Sequence, residues 1–164
     1  MSAVDRSVSI QTQDFDLSAE TLALRAQDGG IGAVVSFVGT VREASHGQAV
    51  SRMELEHYPG MTEAAIASMI DAAFRRFDIR AARVIHRVGE LAARDQIVLV
   101  LVASSHRGQA FQACEFLMDY LKTQAPFWKK EHTPQGSHWV DARVADDEAL
   151  ARWAPEGVTA GNAS

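Results

Sequence analysis

Hydrophobic and polar residues follow two patterns along the chain, one typical of strands and one typical of helices. Runs that alternate, or that are rich in β-branched and aromatic residues, predict strands over residues 7–11, 31–41, 50–58 and 83–88. Residues 96–103 are apolar almost throughout, which predicts a central strand in a sheet covered by helices. Gly32 and Gly39 indicate a close backbone approach or a bulge within their strand.

Apolar residues that recur every three or four positions predict three helices. The clearest stripe covers residues 66–77 and follows Thr62, which is predicted to cap this helix. An earlier helix is predicted to begin after a cap at Ser18. A later one is predicted over residues 107–122, because Pro126 forbids its continuation.

The last third of the chain adds a predicted hairpin. Residues 127–131 and 138–143 are strand-like and are joined by a Thr-Pro-Gln-Gly turn region. A short helix is predicted near residues 147–153, and the small and polar residues 154–164 predict a flexible tail. We therefore expect one α/β domain over residues 1–153.

Charge and hydropathy limit the classes of function. The 164 residues include 16 Lys+Arg and 21 Asp+Glu, and the resulting net charge of -5 repels polyanions such as nucleic acid. Any anion-binding site must therefore be local. No apolar run approaches the roughly 18 residues that cross a bilayer, and the first ten residues lack the features of a secretory signal. A cytoplasmic location is expected.

The single cysteine, Cys114, falls on the core stripe of its predicted helix. It has no partner for an internal disulfide and no neighbouring residues in a zinc-binding pattern. We expect a reducing compartment, an inert buried thiol and no metal site. His57 and His86 lie on apolar faces of predicted strands and are interpreted as core histidines rather than metal ligands.

A polar segment, Ser104-Ser105-His106-Arg107, stands where the central strand meets the next helix, the usual place for ligands in open α/β sheets. Either serine would cap the helix. The free backbone N–H groups favour an anion, and the planar guanidinium of Arg107 suits phosphate or carboxylate. The alternative is a cap residue followed by a solvated charge. Because an arginine at a helix N-terminus is electrostatically unfavourable, we favour the anion site.

Two lysines frame the end of the same helix. Lys122 closes the helix and Lys129 lies seven residues further on, with no acidic residue between them. If the chain reverses at Pro126, the two ammonium groups converge and one of them becomes available for acid–base or nucleophilic chemistry. The alternative is one lysine that favours the helix dipole and another on a strand surface. Arg42, which follows a buried strand, is a weaker candidate for the same site.

Five stretches of the sequence resemble those of a known family, and they occur in the family's order and at the family's spacings. They are residues 37–42 (FVGTVR), 55–61 (LEHYPGM), 84–91 (VIHRVGEL), 118–122 (MDYLK) and 125–129 (APFWK). Together they resemble the MoaE family, the large, catalytic subunits of molybdopterin synthase, over nearly the whole chain from about Val34 to Arg143. The resemblance implies an α/β hammerhead fold with an additional small antiparallel β subdomain.

The resemblance also implies a sulfurtransferase of molybdenum cofactor biosynthesis. Such an enzyme converts cyclic pyranopterin monophosphate, or precursor Z, into molybdopterin by installing two dithiolene sulfurs. A small ubiquitin-like partner is expected to supply each sulfur as a C-terminal Gly-Gly thiocarboxylate. Two large subunits would form a central dimer with one small subunit on each side, a heterotetramer. No cofactor is expected, and a donor on the partner agrees with the lack of a sulfur-carrying cysteine in this chain.

By position, the resemblance assigns an essential lysine to Lys122, near the partner's tail, and a second active-site lysine to Lys129. Arg42, His106 and Arg107 match contacts to the pterin or its phosphate. Further residues implied to line the same pocket are Thr40, Val41, Lys130 and Glu131, and Arg143 is implied to reach across the dimer.

Two other classes of function use the same residues. A non-catalytic module that recognises a ubiquitin-like tail or a phosphorylated metabolite would bind without turnover. A nucleic-acid-binding domain is disfavoured by the net charge and would require binding that weakens steeply with salt.

Overall fold

The computed structural model describes residues 6–45, 48–49, 52–134, 136–139 and 151–153. Within these ranges the elements are β1 (Arg6–Gln11), α1 (Leu17–Arg25), β2 (Ala33–Thr40), β3 (Ala44–Ser45), β4 (Gln48–Ala49), β5 (Arg52–His57), α2 (Met61–Arg76), β6 (Ala81–Arg87), β7 (Gly89–Ala92), β8 (Gln96–Ser104), α3 (Arg107–Thr123), β9 (Phe127–Thr133) and β10 (Gly136–Trp139). The mixed α and β class is confirmed.

The first sheet has the strand order β1-β6-β8-β2, and only its β1–β6 pair is parallel. Its strand β8 is buried from Val98 to Ser104 because its Val and Leu side chains meet helices on both faces. Helices α2 and α3 cover one face and α1 covers the other. The prediction of a central strand between helices is confirmed.

Helix α3 determines where its two ends lie. Its apolar stripe packs against β8 and β2 and consists of Ala110, Ala113, Cys114, Phe116, Leu117 and Leu121. A fully buried leucine side chain contributes about 1.5–3 kcal/mol of stabilisation. Because α3 begins where β8 ends and runs back along the sheet, its C-terminus lies beside the first residues of β8 and the last residues of β2.

The second sheet is antiparallel throughout, with the order β10-β9-β5-β7. It confirms the predicted 127–143 hairpin as far as Trp139 and the additional antiparallel subdomain that the resemblance implies. Strand β7 was not predicted, because its four residues carry too short a pattern. Strands β3 and β4 were also not predicted, and they pair as a two-stranded antiparallel ladder.

Two predicted helix caps are wrong. Helix α1 is capped by Asp16 rather than Ser18, since the Asp16 carboxylate accepts a hydrogen bond from the Ala19 N–H at 2.9 Å. Helix α3 has His106 at its N-cap position without a side-chain cap. The hydroxyl of Ser104 instead donates to the Asp78 carbonyl at 2.7 Å, so it fixes the strand end rather than the helix.

Thr62 is also displaced from its predicted role, because Gly60 holds the N-cap position of α2 with φ 84°. The buried Thr62 hydroxyl accepts from the Tyr58 N–H and donates to the Pro126 carbonyl, both at 3.0 Å. It therefore ties the start of α2 to the turn between α3 and β9. That turn separates the two lysines of interest.

The structure explains why glycines stand at positions 32 and 39 of the second predicted strand. A Cβ on Gly32 would lie 2.3 Å from the carbonyl oxygen of Ser105, so the backbones approach each other there. The register of the β2–β8 pair shifts between Gly39 and Thr40, which is the predicted bulge. The bulge precedes Val41 and Arg42, and β2 ends at Thr40.

The carboxylate of Glu63 caps α2 in place of Thr62, accepting the Gly60 N–H at 2.5 Å. Hydrogen bonds from its own backbone N–H and from Gly60 lower the pKa of Glu63, with His57 adding to the effect. Its stabilisation is therefore present above the ordinary carboxyl pKa and lost as pH falls through the lowered value. We expect Glu63→Gln to lower the melting temperature at neutral pH, with the difference from wild type vanishing in acid. A pH series of thermal melts measures this, and a constant difference would contradict it.

Several sequence predictions fall on residues beyond the described ranges. These are the helix near 147–153, of which only 151–153 are described, the end of the hairpin and the C-terminal tail. The single-domain boundary at residue 153 stays a prediction. Among the described helices, none has the length and apolar character to cross a membrane.

Candidate active site

An open cavity of about 550 Å³ lies where the end of the first sheet, the C-terminus of α3 and the second sheet meet. Its lining residues are Phe37, Val38, Gly39, Thr40, Arg42, Met53, Leu55, His86, Ile97, Val98, Met118, Leu121, Lys122, Ala125, Phe127, Trp128 and Lys129. The volume falls within the roughly 300–1,000 Å³ typical of small-molecule sites. Of the described residues that line it, three are cationic and none is acidic, so the cavity favours an anion.

The two lysines reach this cavity from different elements. Lys122 is exposed in the last turn of α3, and the turn at Ala125-Pro126 leads the chain into β9. On β9, Phe127 and Lys129 point to the same side because strand side chains alternate, and Lys129 is paired in register with Leu55. Both ammonium groups therefore serve one cavity. The chain has only one other lysine, Lys130.

A buried carboxylate lies directly behind one of these lysines. Glu131 is 3% exposed, and its Oε1 is 3.4 Å from Nζ of Lys129. A buried carboxylate is costly unless it is paired, so this contact stabilises Glu131 and restricts the direction of the Lys129 side chain. Glu131 itself is not part of the cavity wall.

Two more residues that were expected on the wall lie beside it. Val41 is 3% exposed and packs in a small core cluster with Met53, Leu55 and Leu91. Lys130 is paired in register with Glu54, on the opposite side of β9 from Lys129. Within one copy, Thr40, Arg42, Lys122 and Lys129 line the cavity, and Val41, Lys130 and Glu131 lie beside it.

His106 and Arg107 lie at the other end of α3. Both are exposed. Lys122 comes fifteen positions after Arg107 in the helix, so the Cα atoms of these two residues lie roughly 22 Å apart along its axis. One copy of the chain thus does not bring them to the same cavity as the lysines, and their place in the site stays a prediction. Arg143 lies outside the described residues.

The apolar part of the cavity wall was not predicted. Phe37 and Met118 come from β2 and α3, and Phe127 and Trp128 open β9. The Trp128 ring packs on Tyr58 with 4.1 Å between ring centroids, so it is both a packing residue and part of the wall. The sequence does carry a signal for this apolar wall. Phe127 and Trp128 lie between Pro126 and Lys129, so they had to lie near the site once the two lysines were placed there.

His86 is another wall residue that was interpreted as core only. Burial lowers the pKa of His86 to about 4, against a weaker opposing effect from its hydrogen bond with the Arg87 carbonyl, so the imidazole is neutral at physiological pH. No group of three metal-ligating side chains occurs among the residues that the structure describes. The cavity therefore combines fixed positive charge, aromatic surface and one neutral imidazole.

Comparisons with known proteins identify the family of this chain. The family model described as MoaE protein matches residues 10–124. A Ralstonia nicotianae protein named molybdopterin synthase catalytic subunit is 63% identical over 158 residues, which are 96% of this chain and 88% of that protein. A solved structure of the molybdopterin biosynthesis MoaE protein from Burkholderia ambifaria is 58% identical with a TM-score of 0.79, covering 92% of this chain and 99% of that chain.

A third comparison concerns the fold alone. The structure of a complex of subunits 1 and 2 of molybdopterin-converting factor from Helicobacter pylori has a chain that is 18% identical to this one. Its TM-score is 0.69, and the match covers 83% of this chain and 91% of that chain. The family model spans well over half of the sequence, and the Ralstonia relative aligns over almost all of it. The chain belongs to the MoaE family.

Proposed function

We propose that this chain is the catalytic subunit of a molybdopterin synthase. It transfers sulfur from the C-terminal thiocarboxylate of a small ubiquitin-like partner to precursor Z. The observation that carries the proposal is the convergence of Lys122 and Lys129 on one cavity, together with Arg42. Both ligands of the proposed reaction are anionic, and an excess of fixed positive charge in a partly closed site favours them.

The two halves of the wall suit the two halves of the substrate. The flat pterin ring system fits against aromatic and thioether side chains such as Phe37, Met118 and Trp128. The phosphate suits Arg42, whose guanidinium donates two parallel hydrogen bonds to such a group. The wall has no acidic residue among those described, and the nearby carboxylate of Glu131 contacts Lys129 from behind the wall.

For each sulfur, two bonds form and two break. The thiocarboxylate sulfur attacks a side-chain carbon of the pterin and forms a C–S bond while a C–O bond at that carbon breaks, and the oxygen leaves as water or stays on the substrate phosphate. The sulfur is then still linked to the partner's terminal carbonyl carbon. Water then attacks that carbonyl carbon, the C–S bond to it breaks, and the partner leaves as a carboxylate. Lys122 acts as acid and base or stabilises the oxyanion of this step, and Lys129 orients the terminal carbonyl.

The sulfur is carried by the partner and not by this chain. Cys114 is buried, and burial raises the pKa of its thiol to about 11, so the nucleophilic thiolate is scarce at neutral pH. A free thiol and a thiocarboxylate donor both fit a reducing cytoplasm, which we propose as the location.

Cys114→Ala is expected to leave sulfur transfer unchanged, because Cys114 lies on the core side of α3 and does not line the cavity. The smaller side chain should lower the free energy of unfolding by about 1 kcal/mol. Product formation and a denaturant titration measure the two effects. Loss of transfer in a folded variant would mean that this chain carries sulfur itself.

A second copy of the chain explains how His106 and Arg107 take part. Within one copy they lie about 22 Å from Lys122 along α3. In the dimer that we propose, the α3 N-terminus of one copy approaches the cavity of the other, so that the Arg107 guanidinium, the His106 imidazole and the free N–H groups meet the substrate phosphate.

Reconstitution tests the proposal. The purified chain is mixed with precursor Z and the partner in its thiocarboxylate form, and dithiolene product is measured. The control is the same partner with an ordinary C-terminal carboxylate, which is expected to bind without giving product. Binding of the thiocarboxylate partner and of precursor Z without any product would instead favour the non-catalytic module.

A further inference from the structure

We propose that His86 is a ligand-binding residue of this cavity, whose Nε2 accepts a hydrogen bond from an N–H group of the bound ligand. The inference rests on the proposed function, since the donor belongs either to the pterin ring or to the backbone amides of the partner's tail. Both carry N–H groups, and the experiment below separates them.

The fold places His86 at the boundary between core and cavity. It is the second-last residue of β6 and lies opposite Val98 of β8 in the sheet register. Alternation along β6 puts it on the side of Ala82 and Val84, which pack under α2 and α3. Those two residues are fully buried, whereas His86 reaches the cavity wall.

Two contacts fix the orientation of the imidazole. Nδ1 lies 2.8 Å from the carbonyl oxygen of Arg87, and because a carbonyl only accepts, Nδ1 carries the proton. The ring also stacks on Phe127, with 3.9 Å between centroids and 20° between planes. The remaining nitrogen, Nε2, therefore presents a lone pair in a fixed direction.

The charge state keeps that lone pair available. Burial disfavours the imidazolium, and the nearby His57 opposes it further, so at neutral pH Nε2 is an acceptor and not a donor. Among the described residues, Nε2 has no hydrogen-bond partner. It is not one of the fully buried polar atoms that lack a partner, so it keeps some exposure. The cavity supplies the space for a ligand N–H group that donates to Nε2.

A neutral acceptor adds a kind of ligand selectivity that the other polar side chains of the wall do not provide. In their charged forms Arg42, Lys122 and Lys129 only donate, so they bind anionic oxygen or sulfur and do not recognise the N–H groups of a ligand. Apart from weak thioether sulfurs, the described side-chain acceptors of the wall are His86 Nε2 and the Thr40 hydroxyl. A neutral acceptor fixed beside Phe127 selects a ring or peptide edge that carries a donor, which fixed charge alone does not do.

Two substitutions separate the acceptor from the packing role of the residue. In His86→Asn the shorter amide can still donate to the Arg87 carbonyl, but it has no group at the Nε2 position. In His86→Gln the amide oxygen reaches that position. We expect His86→Asn to raise KM for one of the two ligands, precursor Z or the thiocarboxylate partner, by about fivefold to tenfold. His86→Gln should restore most of the affinity, and the ligand affected identifies the donor.

A measurement on the wild-type protein does not depend on how either variant folds. In ¹⁵N NMR of labelled protein, His86 is expected in the neutral form protonated at Nδ1, and its Nε2 resonance should move when the affected ligand saturates the cavity. An Nε2 resonance unmoved by both ligands would overturn the inference, as would a folded His86→Asn variant with unchanged KM for both. Failure of the wild-type complex to make product would instead overturn the proposed function, so the two failures are distinguishable.

Discussion

Replacing Lys122 with alanine is expected to lower dithiolene formation by about 10²- to 10⁴-fold, the range typical for loss of an acid–base group. The side chain is exposed in the last turn of α3 and lines the cavity, whereas the core contacts of this turn are made by Leu121. The melting temperature and the affinity for the partner should therefore stay close to wild type. Single-turnover product formation with saturating partner and precursor Z measures the effect on the chemical step.

Two further variants show why Lys122 matters. Lys122→Arg keeps the positive charge but cannot give up a proton at accessible pH, so it should remain strongly impaired if Lys122 acts as acid and base. Near-complete rescue by arginine would assign it to charge stabilisation alone. Arg75→Ala removes a positive charge from an exposed position of α2, away from the cavity, and is expected to leave turnover unchanged. Wild-type turnover of Lys122→Ala itself would remove this lysine from the mechanism.

Much of the fold follows from local patterns in the sequence. The stripe over residues 66–77 and the apolar run over 96–103 each have one periodicity over many residues, so helix α2 and strand β8 were predictable. The caps were not. Ser18 and Asp16 are both good N-cap residues, and the choice between them depends on where the first turn forms rather than on the residue types.

The site was predictable only in part, for a geometric reason. Lys122 and Lys129 are close in sequence and separated by Pro126, so a local chain reversal was enough to bring them together. His86 comes from a strand more than thirty residues earlier, and nothing in its apolar surroundings distinguishes a wall position from a core position. Arg107 is the opposite case. It lies near Lys122 in sequence, but within one copy it is far from Lys122 in space because it stands at the other end of a rigid helix.

Mixing two impaired variants is expected to restore activity if Arg107 serves the cavity of a second copy. Arg107→Ala should lose a charge-assisted contact with the substrate phosphate, about 1.5–3 kcal/mol, and so be strongly impaired at subsaturating precursor Z. Lys122→Ala should be impaired at any concentration of precursor Z, because it affects the chemical step. Neither substitution touches the core of α3, so both chains should still fold and pair.

In a mixed dimer, the cavity of the Arg107→Ala chain keeps its own Lys122 and receives Arg107 from the Lys122→Ala chain. The other cavity of that dimer lacks both side chains. With equal amounts of the two chains pairing at random, about one quarter of all cavities are complete, so about a quarter of wild-type activity should return. If each arginine served its own chain, every cavity would lack one group and mixing would restore nothing. Turnover at subsaturating precursor Z, after co-refolding the two variants, separates these outcomes, and each variant refolded alone is the control.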